Sequence, residues 1–148
     1  PLTDPSKLSA EGTEWYDRAA ACWALAFFGK AITKEQIDAM IALVEKDEDL
    51  DVTRYARAAL EQLPPSIVHP AIAAFAAEAK FEESEERVLV AAVWALGCLQ
   101  QAQAEPDVSK IIENLDDGNT LVRREAVLTL AKFPQLAATT VPLIDKKY

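Results

Sequence analysis

Apolar residues recur at helical spacing in the stretch GNTLVRREAVLTLAKF, which covers positions 118 to 133. They fall at i, i+4, i+8 and i+11, and they are Val122, Ala126, Leu130 and Phe133. This spacing places all four on one stripe of an α-helix. Acidic and amide side chains precede the stretch, where they can cap the helix N-terminus and complement its dipole. The pattern predicts an amphipathic helix with one buried face.

Three earlier segments carry the same pattern at a nearly constant interval. They are DRAAACWAL from Asp17, VTRYARAAL from Val52 and VLVAAVWAL from Val88, and the fourth copy is VRREAVLTL from Val122. The successive first residues are 35, 36 and 34 positions apart, and every copy has alanine at its fifth position and leucine at its ninth. Repeats of this length indicate helical hairpins stacked side by side. We therefore predict an all-α chain.

Prolines follow a second register with the same period. Pro70, Pro106 and Pro142 are each 36 residues apart. We predict each of them at or near the start of a partner helix, where a missing N–H costs least. Two registers with one period strengthen the prediction of a repeat.

Caps and chain breakers set the predicted ends of the helices. Thr33 is predicted to cap the second helix, Pro64 and Pro65 to end the third, and Thr139 or Thr140 to cap the last. We predict one domain over residues 1–148. Repeat helices are predicted near residues 10–29, 33–63, 66–101 and 106–133, with a last half-repeat at 139–148.

The third copy lies in the run VLVAAVWALGCL, which is apolar on nearly every face of a helix. A helix that is hydrophobic all round must be covered on both sides. We therefore predict that this helix lies inside the array.

The alternation of a proline-initiated helix, an acidic turn and V-R-x-x-A-x-x-x-L resembles the HEAT repeats, especially the short bacterial kind also called phycobilisome-lyase HEAT-like repeats. The resemblance runs from the first copy onward and is clearest in the last, where Val122, Arg123 and Ala126 match. Thr53 and Leu89 replace the arginine in the second and third copies. The resemblance implies a right-handed α-solenoid of about four HEAT-like helical hairpins. It also implies a scaffold that binds a protein partner, or, alternatively, a bilin lyase or chaperone-like protein that handles a chromophore or its carrier protein.

In a HEAT-like stack, the helix face opposite the core stripe lines the concave surface. Here that face carries two tryptophans with arginines beside them, which suggests a binding groove. A superhelical twist that turns the rings into the core between repeats is the competing interpretation. The candidate partner-binding residues are Trp23, Arg54, Val90, Trp94, Arg124 and Leu128.

Acidic residues precede the second, third and fourth copies, and stacking would align them along one edge as an acidic ridge. They complement helix dipoles and aid solubility, or they form a docking edge for a basic partner. The arginines near the helix starts are expected to pair mostly with these acidic turns. The candidate ridge residues are Asp49, Asp51, Glu83, Glu85, Asp116 and Asp117.

Charge and hydropathy narrow the classes of partner. The chain has 15 basic and 24 acidic residues, for a net charge of −9, which argues against nucleic acids and anionic membranes as partners. No apolar run approaches the length of a membrane span, so we expect a cytoplasmic protein. The incomplete repeats at either end are candidate faces for self-association.

Few residues could carry chemistry. His69 is the only histidine, and it is expected in a turn between repeats. Cys22 and Cys98 lie in apolar runs without metal-ligand spacing, so we expect buried free thiols. No nucleophile–base arrangement or glycine-rich phosphate loop stands out. We predict no catalytic residue, metal site or cofactor, and a non-catalytic scaffold.

Overall fold

The computed structural model describes residues 14–79 and 85–147, and within these ranges the chain is helical with no strand. The predicted all-α class is therefore confirmed. Short 3-10 turns lie at Gly29–Ala31, Asn114–Asp116 and Pro134–Leu136. The α-helices are α1 (Trp15–Leu25), α2 (Lys34–Lys46), α3 (Leu50–Gln62), α4 (Pro65–Glu78), α5 (Glu86–Gln101), α6 (Ser109–Glu113), α7 (Thr120–Leu130) and α8 (Ala137–Lys147).

The chain divides into two compact units, residues 1–74 and 75–148. In the first unit, α1 and α2 both pack against α3. Each helix contributes the apolar stripe that its periodicity predicts, because a stripe at i, i+3 and i+4 can be buried against one neighbour. The core of these three helices includes Ala21, Leu25, Ile37, Met40, Ile41, Val44, Val52, Ala56 and Leu60.

In the second unit, α5 packs against α7, and α6 with the 3-10 turn after it also packs against α7. The predicted stripe of Val122, Ala126, Leu130 and Phe133 is fully buried in this unit. It joins one apolar cluster with Leu89, Val93, Val108, Ile111 and Leu115. Side chains of α8 are partly buried against the same cluster, which holds the last helix to the unit.

Helix α5 is buried along most of its length, as its all-round apolar sequence predicts. Residues 91 to 95 are consecutively buried, and so are Gly97 and Cys98. At Gly97 the backbone of α5 lies so close to α7 that an added Cβ would overlap the Cγ2 methyl of Thr129. The lack of a side chain at Gly97 therefore allows the two helices their close approach.

The predicted caps and breakers are partly confirmed. The Thr33 hydroxyl accepts a hydrogen bond from the Gln36 N–H at 3.2 Å, and the Thr33 N–H donates to Gln36 Oε1 at 2.9 Å. This reciprocal pair is a capping box. Helix α3 ends at Gln62 and α4 begins at Pro65, so the proline pair separates two helices as predicted.

Three predicted positions are wrong. Pro70 and Pro142 lie inside α4 and α8 rather than at their starts, because each helix begins five residues earlier than the proline. Helix α8 follows directly from a 3-10 turn and begins at Ala137, so neither Thr139 nor Thr140 caps it. The Thr140 hydroxyl is buried and donates to the carbonyl oxygen one helical turn earlier.

The turns before α3 and α7 share one hydrogen-bonding pattern. The Oδ1 atom of Asp47 accepts from the N–H two residues later at 2.9 Å, and Oδ1 of Asp117 does the same at 2.8 Å. The residue that donates then caps the helix: Asp49 Oδ1 accepts from the N–H groups of residues 51 and 52, and Asn119 Oδ1 from that of residue 121. The sequence repeat is thus also a repeat of local structure.

Candidate functional site

Exposed aromatic side chains are concentrated on α1. Among the described residues six aromatic side chains are exposed, and five of them belong to α1 or to the turn that follows it. Tyr16, Ala20, Trp23 and Phe27 fall at i, i+4, i+7 and i+11, which is one face of a helix. We call these four residues the α1 aromatic face. Phe27 lies just beyond the helix but continues its last turn, because its N–H donates to the carbonyl of residue 24 at 3.2 Å.

Two rings of this face, Trp23 and Phe27, contact each other and remain open to solvent. Trp23 and Phe27 are 60% and 64% exposed, and their ring centroids are 5.0 Å apart in an edge-to-face arrangement. Trp15 and Tyr16 form a second edge-to-face pair at 5.8 Å. Such pairs gain about 0.5–1.5 kcal/mol beyond the area they bury, which limits the rotamers of the exposed rings.

The opposite face of α1 supplies the core. Ala21, Cys22 and Leu25 are buried there, and α1 packs against α3. Helix α1 therefore has two apolar faces. The described residues cover the face that packs against α3 and leave the α1 aromatic face exposed. Large exposed apolar patches often mark interaction surfaces, so the α1 aromatic face is the candidate site.

The six candidate partner-binding residues differ in exposure: four are exposed, one is half-buried and one is buried. Trp23 and Arg54 are exposed in the first unit, and Arg124 and Leu128 are exposed in the second. Val90 is half-buried. Trp94 is only 1% exposed, so the prediction that its ring lines an open groove is wrong. The reason is the all-round apolar character of α5, which requires burial on every side.

Sequence reasoning missed most of the α1 aromatic face. In the first copy the repeat register places Ala19 and Ala26, four residues before and three after Trp23, on the same helix side as that ring, but both alanines are buried. The exposed face is rotated from that register and carries Tyr16 and Phe27 instead. A second apolar stripe at i, i+4, i+7 and i+11 was present in the sequence and is the signal that identifies this face.

Several predicted ridge carboxylates take part in local structure. Asp49 and Asp117 are half-buried and hold the turns before α3 and α7. Asp51, Glu85 and Asp116 are exposed, and Glu83 lies outside the described residues. Asp49 is the N-cap of α3, whereas Asp117 holds the turn in which Asn119 caps α7.

Arginines pair with the acidic turns in the way the sequence predicts. Arg18 on α1 donates to Asp47 in the turn before α3, with Nε–Oδ2 at 2.6 Å and Nη2–Oδ1 at 3.1 Å. Arg54 lies 3.5 Å from Asp51 on the surface. Arg123 donates to the backbone oxygen of residue 117 at 2.8 Å. The first of these pairs is buried and ties α1 to the turn before α3.

Two buried titratable groups, Arg18 and Cys22, have raised pKa values, which favour their protonated forms. The hydrogen bond to Asp47 raises the pKa of the Arg18 guanidinium. Burial raises the pKa of the Cys22 thiol to about 12, and the nearby charge of Asp47 acts in the same direction. Cys22 and Cys98 are free and buried, as predicted. His69 is half-buried inside α4, so its predicted place in a turn is wrong.

The described residues contain no group of three or more histidine, cysteine, aspartate or glutamate side chains that could hold a metal ion. Among residues 14–79 and 85–147, none of the helices combines the length and the hydropathy of a membrane span. Residues 120–130 and 134–146 reach that length and composition only as a pair, bent by 97°.

Comparison with known proteins identifies no protein family, no curated protein and no solved structure that matches this chain.

Proposed function

We propose that this chain is a helical-repeat scaffold that binds another protein and does no chemistry of its own. The observation that carries the proposal is the α1 aromatic face, with Trp23 and Phe27 fixed against each other and exposed. Tryptophan and tyrosine are enriched among the residues that contribute most to protein–protein binding. A soluble chain gains nothing in folding from leaving such rings in water.

The helix beneath the rings is preorganised for binding. Ala21, Cys22 and Leu25 fix one side of α1 in the core, and the Arg18–Asp47 ion pair fixes its orientation near the N-terminal end. A rigid surface loses little conformational entropy when a partner docks, so more of the gross contact energy appears as affinity. The α1 aromatic face is therefore a rigid anchor rather than an adaptable loop.

We further propose that the helices form a right-handed α-solenoid of about four HEAT-like hairpins. The matching turns before α3 and α7 support this proposal, as does the packing of α1 on α3 and of α5 on α7. Such a scaffold presents the outward sides of its repeat helices to partners. Arg54 on α3 and Leu128 on α7 are exposed and extend the candidate surface within their own units.

Selection of peptide ligands tests the function without a known partner. A displayed peptide library is panned against the wild-type protein, and the selected peptides are titrated against Trp23→Ser/Phe27→Ser. We expect affinity to fall at least about tenfold, since anchor residues typically contribute more than 1.4 kcal/mol each. The control is Leu121→Ser/Val141→Ser, which removes two apolar side chains of similar exposure from α7 and α8. The proposal fails if no peptide is selected, or if both double variants bind as tightly as the wild type.

A further inference from the structure

We propose that the α1 aromatic face binds a second copy of this chain, with the two α1 helices antiparallel about a twofold axis. The inference rests on the proposed function, because it names the partner of the same face. Two features support a second copy over an unrelated protein: the pattern of side-chain sizes on the face and the charges at the two ends of α1.

The order of large and small side chains on the face is self-complementary. Its four residues run large, small, large, large as Tyr16, Ala20, Trp23 and Phe27. An antiparallel twofold axis centred between residues 21 and 22 places Ala20 of one copy opposite Trp23 of the other. It also places Tyr16 opposite Phe27. Each tryptophan then enters the space left by an alanine, as knobs enter holes between packed helices, and each helix end gains an aromatic pair.

The charges at the two ends of α1 match the same arrangement. Glu14 lies at the N-terminal end of α1 and Lys30 lies beyond its C-terminal end, and both are exposed. An antiparallel pair brings the glutamate end of one helix to the lysine end of the other. The helix dipoles also oppose each other in this orientation. A parallel pair would instead bring like charges together at both ends.

The area of the face sets the strength expected of this dimer. Its three rings, Tyr16, Trp23 and Phe27, are 55–64% exposed. At about 200 Å² for each residue this amounts to roughly 350 Å² per copy, or about 700 Å² in a dimer. That total is below the range of stable interfaces. We therefore expect a weak, reversible dimer that forms at high protein concentration.

The net charge of −9 predicts how salt affects this dimer. Two copies with the same net charge repel each other, and salt screens that repulsion. Dimerisation is expected to strengthen as salt rises from low to physiological concentration. A basic partner attracted by the acidic chain would show the opposite dependence.

Sedimentation equilibrium over a wide protein concentration range, under reducing conditions, tests the proposal. We expect monomer and dimer in the wild type, with dimerisation weakened at least tenfold in Trp23→Ser/Phe27→Ser. The control Leu121→Ser/Val141→Ser should associate like the wild type. Because the substituted residues are exposed, circular dichroism should show all variants folded.

An exchange of two residues tests the twofold axis itself. Ala20→Trp places two tryptophans opposite each other and should abolish the dimer. The exchanged variant Ala20→Trp/Trp23→Ala again places tryptophan opposite alanine and should restore it. A dimer that survives Trp23→Ser/Phe27→Ser, or one that the exchange fails to restore, overturns the proposal. So does a wild-type chain that stays monomeric throughout, and in that case peptide selection still decides the proposed function separately.

Discussion

The Arg18 guanidinium and the Asp47 carboxylate form a two-point ion pair inside the first unit, across 29 residues of sequence. The Asp47 side chain is fully buried, and its Oδ1 also accepts from the Asp49 N–H at 2.9 Å. One carboxylate therefore orients α1 and shapes the turn before α3. A buried charge of this kind is tolerated because its lone pairs are satisfied by charged and neutral donors.

Removal of either partner of this ion pair should strongly destabilise the first unit. Arg18→Met and Asp47→Ala are each expected to lower the free energy of unfolding by about 3–5 kcal/mol, because the remaining charge is left buried without its partner. The matched controls are Arg54→Met and Asp51→Ala, which break an exposed pair and should cost about 1 kcal/mol or less. Urea denaturation measures all four. Equal losses in the buried and exposed pairs would contradict this assignment.

The approach of α5 to α7 predicts that even one methyl group is too large at Gly97. Gly97→Ala should destabilise by about 1–3 kcal/mol, because the new Cβ would overlap Thr129 Cγ2 in a packed interior. Adding Thr129→Ser, which deletes that methyl group, should recover part of the loss. Gly118→Ala is the control, since no atom lies within 4 Å of an added Cβ there. Thermal unfolding with no difference between the two alanine variants would show that the helices are further apart.

Loss of the N-cap of α3 should lower the free energy of unfolding by less than loss of the buried ion pair does. Asp49→Ala removes the acceptor for two backbone N–H groups and should cost about 1 kcal/mol, whereas Asp49→Asn keeps the acceptor oxygen and should cost little. Glu85→Ala is the control, because Glu85 precedes α5 without a side-chain capping bond. Chemical denaturation of the three variants measures the difference. An Asp49→Ala variant as stable as Glu85→Ala would count against the cap.

The buried Cys22 thiol predicts loss of stability in alkali. Its pKa is raised from 9.0 to about 12, so above pH 9 the unfolded chain loses a proton that the folded chain keeps. The stability that the protonated Cys22 thiol contributes is therefore fully present below pH 9 and is lost as the pH rises toward 12. Over this range the free energy of unfolding should fall by about 1.4 kcal/mol per pH unit because of this one group. Cys22→Ala should show a correspondingly flatter decline between pH 9 and 11 in denaturation curves. Parallel curves for the variant and the wild type would contradict the raised pKa.

The core was predictable because repeated helices bury the same register positions. The alanine at the fifth position of each copy, Ala21, Ala56, Ala92 and Ala126, is fully buried in every case. Small residues recur where helices must pack closely, so the sequence period reports the contact directly. The capping box at Thr33 was predictable for a similar reason, since its bonds join residues only three positions apart.

The candidate surface was harder to predict because exposure depends on what covers a second apolar face. Trp23 and Trp94 occupy the same register position of their copies, yet one is 60% exposed and the other 1%. The repeat register alone cannot distinguish them. The sequence signal that favours burial of Trp94 is the all-round apolar character of α5, which α1 lacks. The sequence predicts that arginines pair with the acidic turns, but not that the Arg18–Asp47 pair is buried, because its partners are 29 residues apart and the turn is rich in charged residues.

Acrylamide quenching of tryptophan fluorescence in dilute protein tests the central claim that Trp23 is the exposed anchor of a binding face. Because Trp15 is also exposed, Trp23→Phe and Trp94→Phe are each made in a Trp15→Phe variant and compared with that variant. We predict that Trp23→Phe removes a red-emitting, readily quenched component, and that Trp94→Phe removes a blue-emitting, protected one. If Trp23→Phe leaves the quenchable component intact, the ring lies in the core and the α1 aromatic face is not a binding surface.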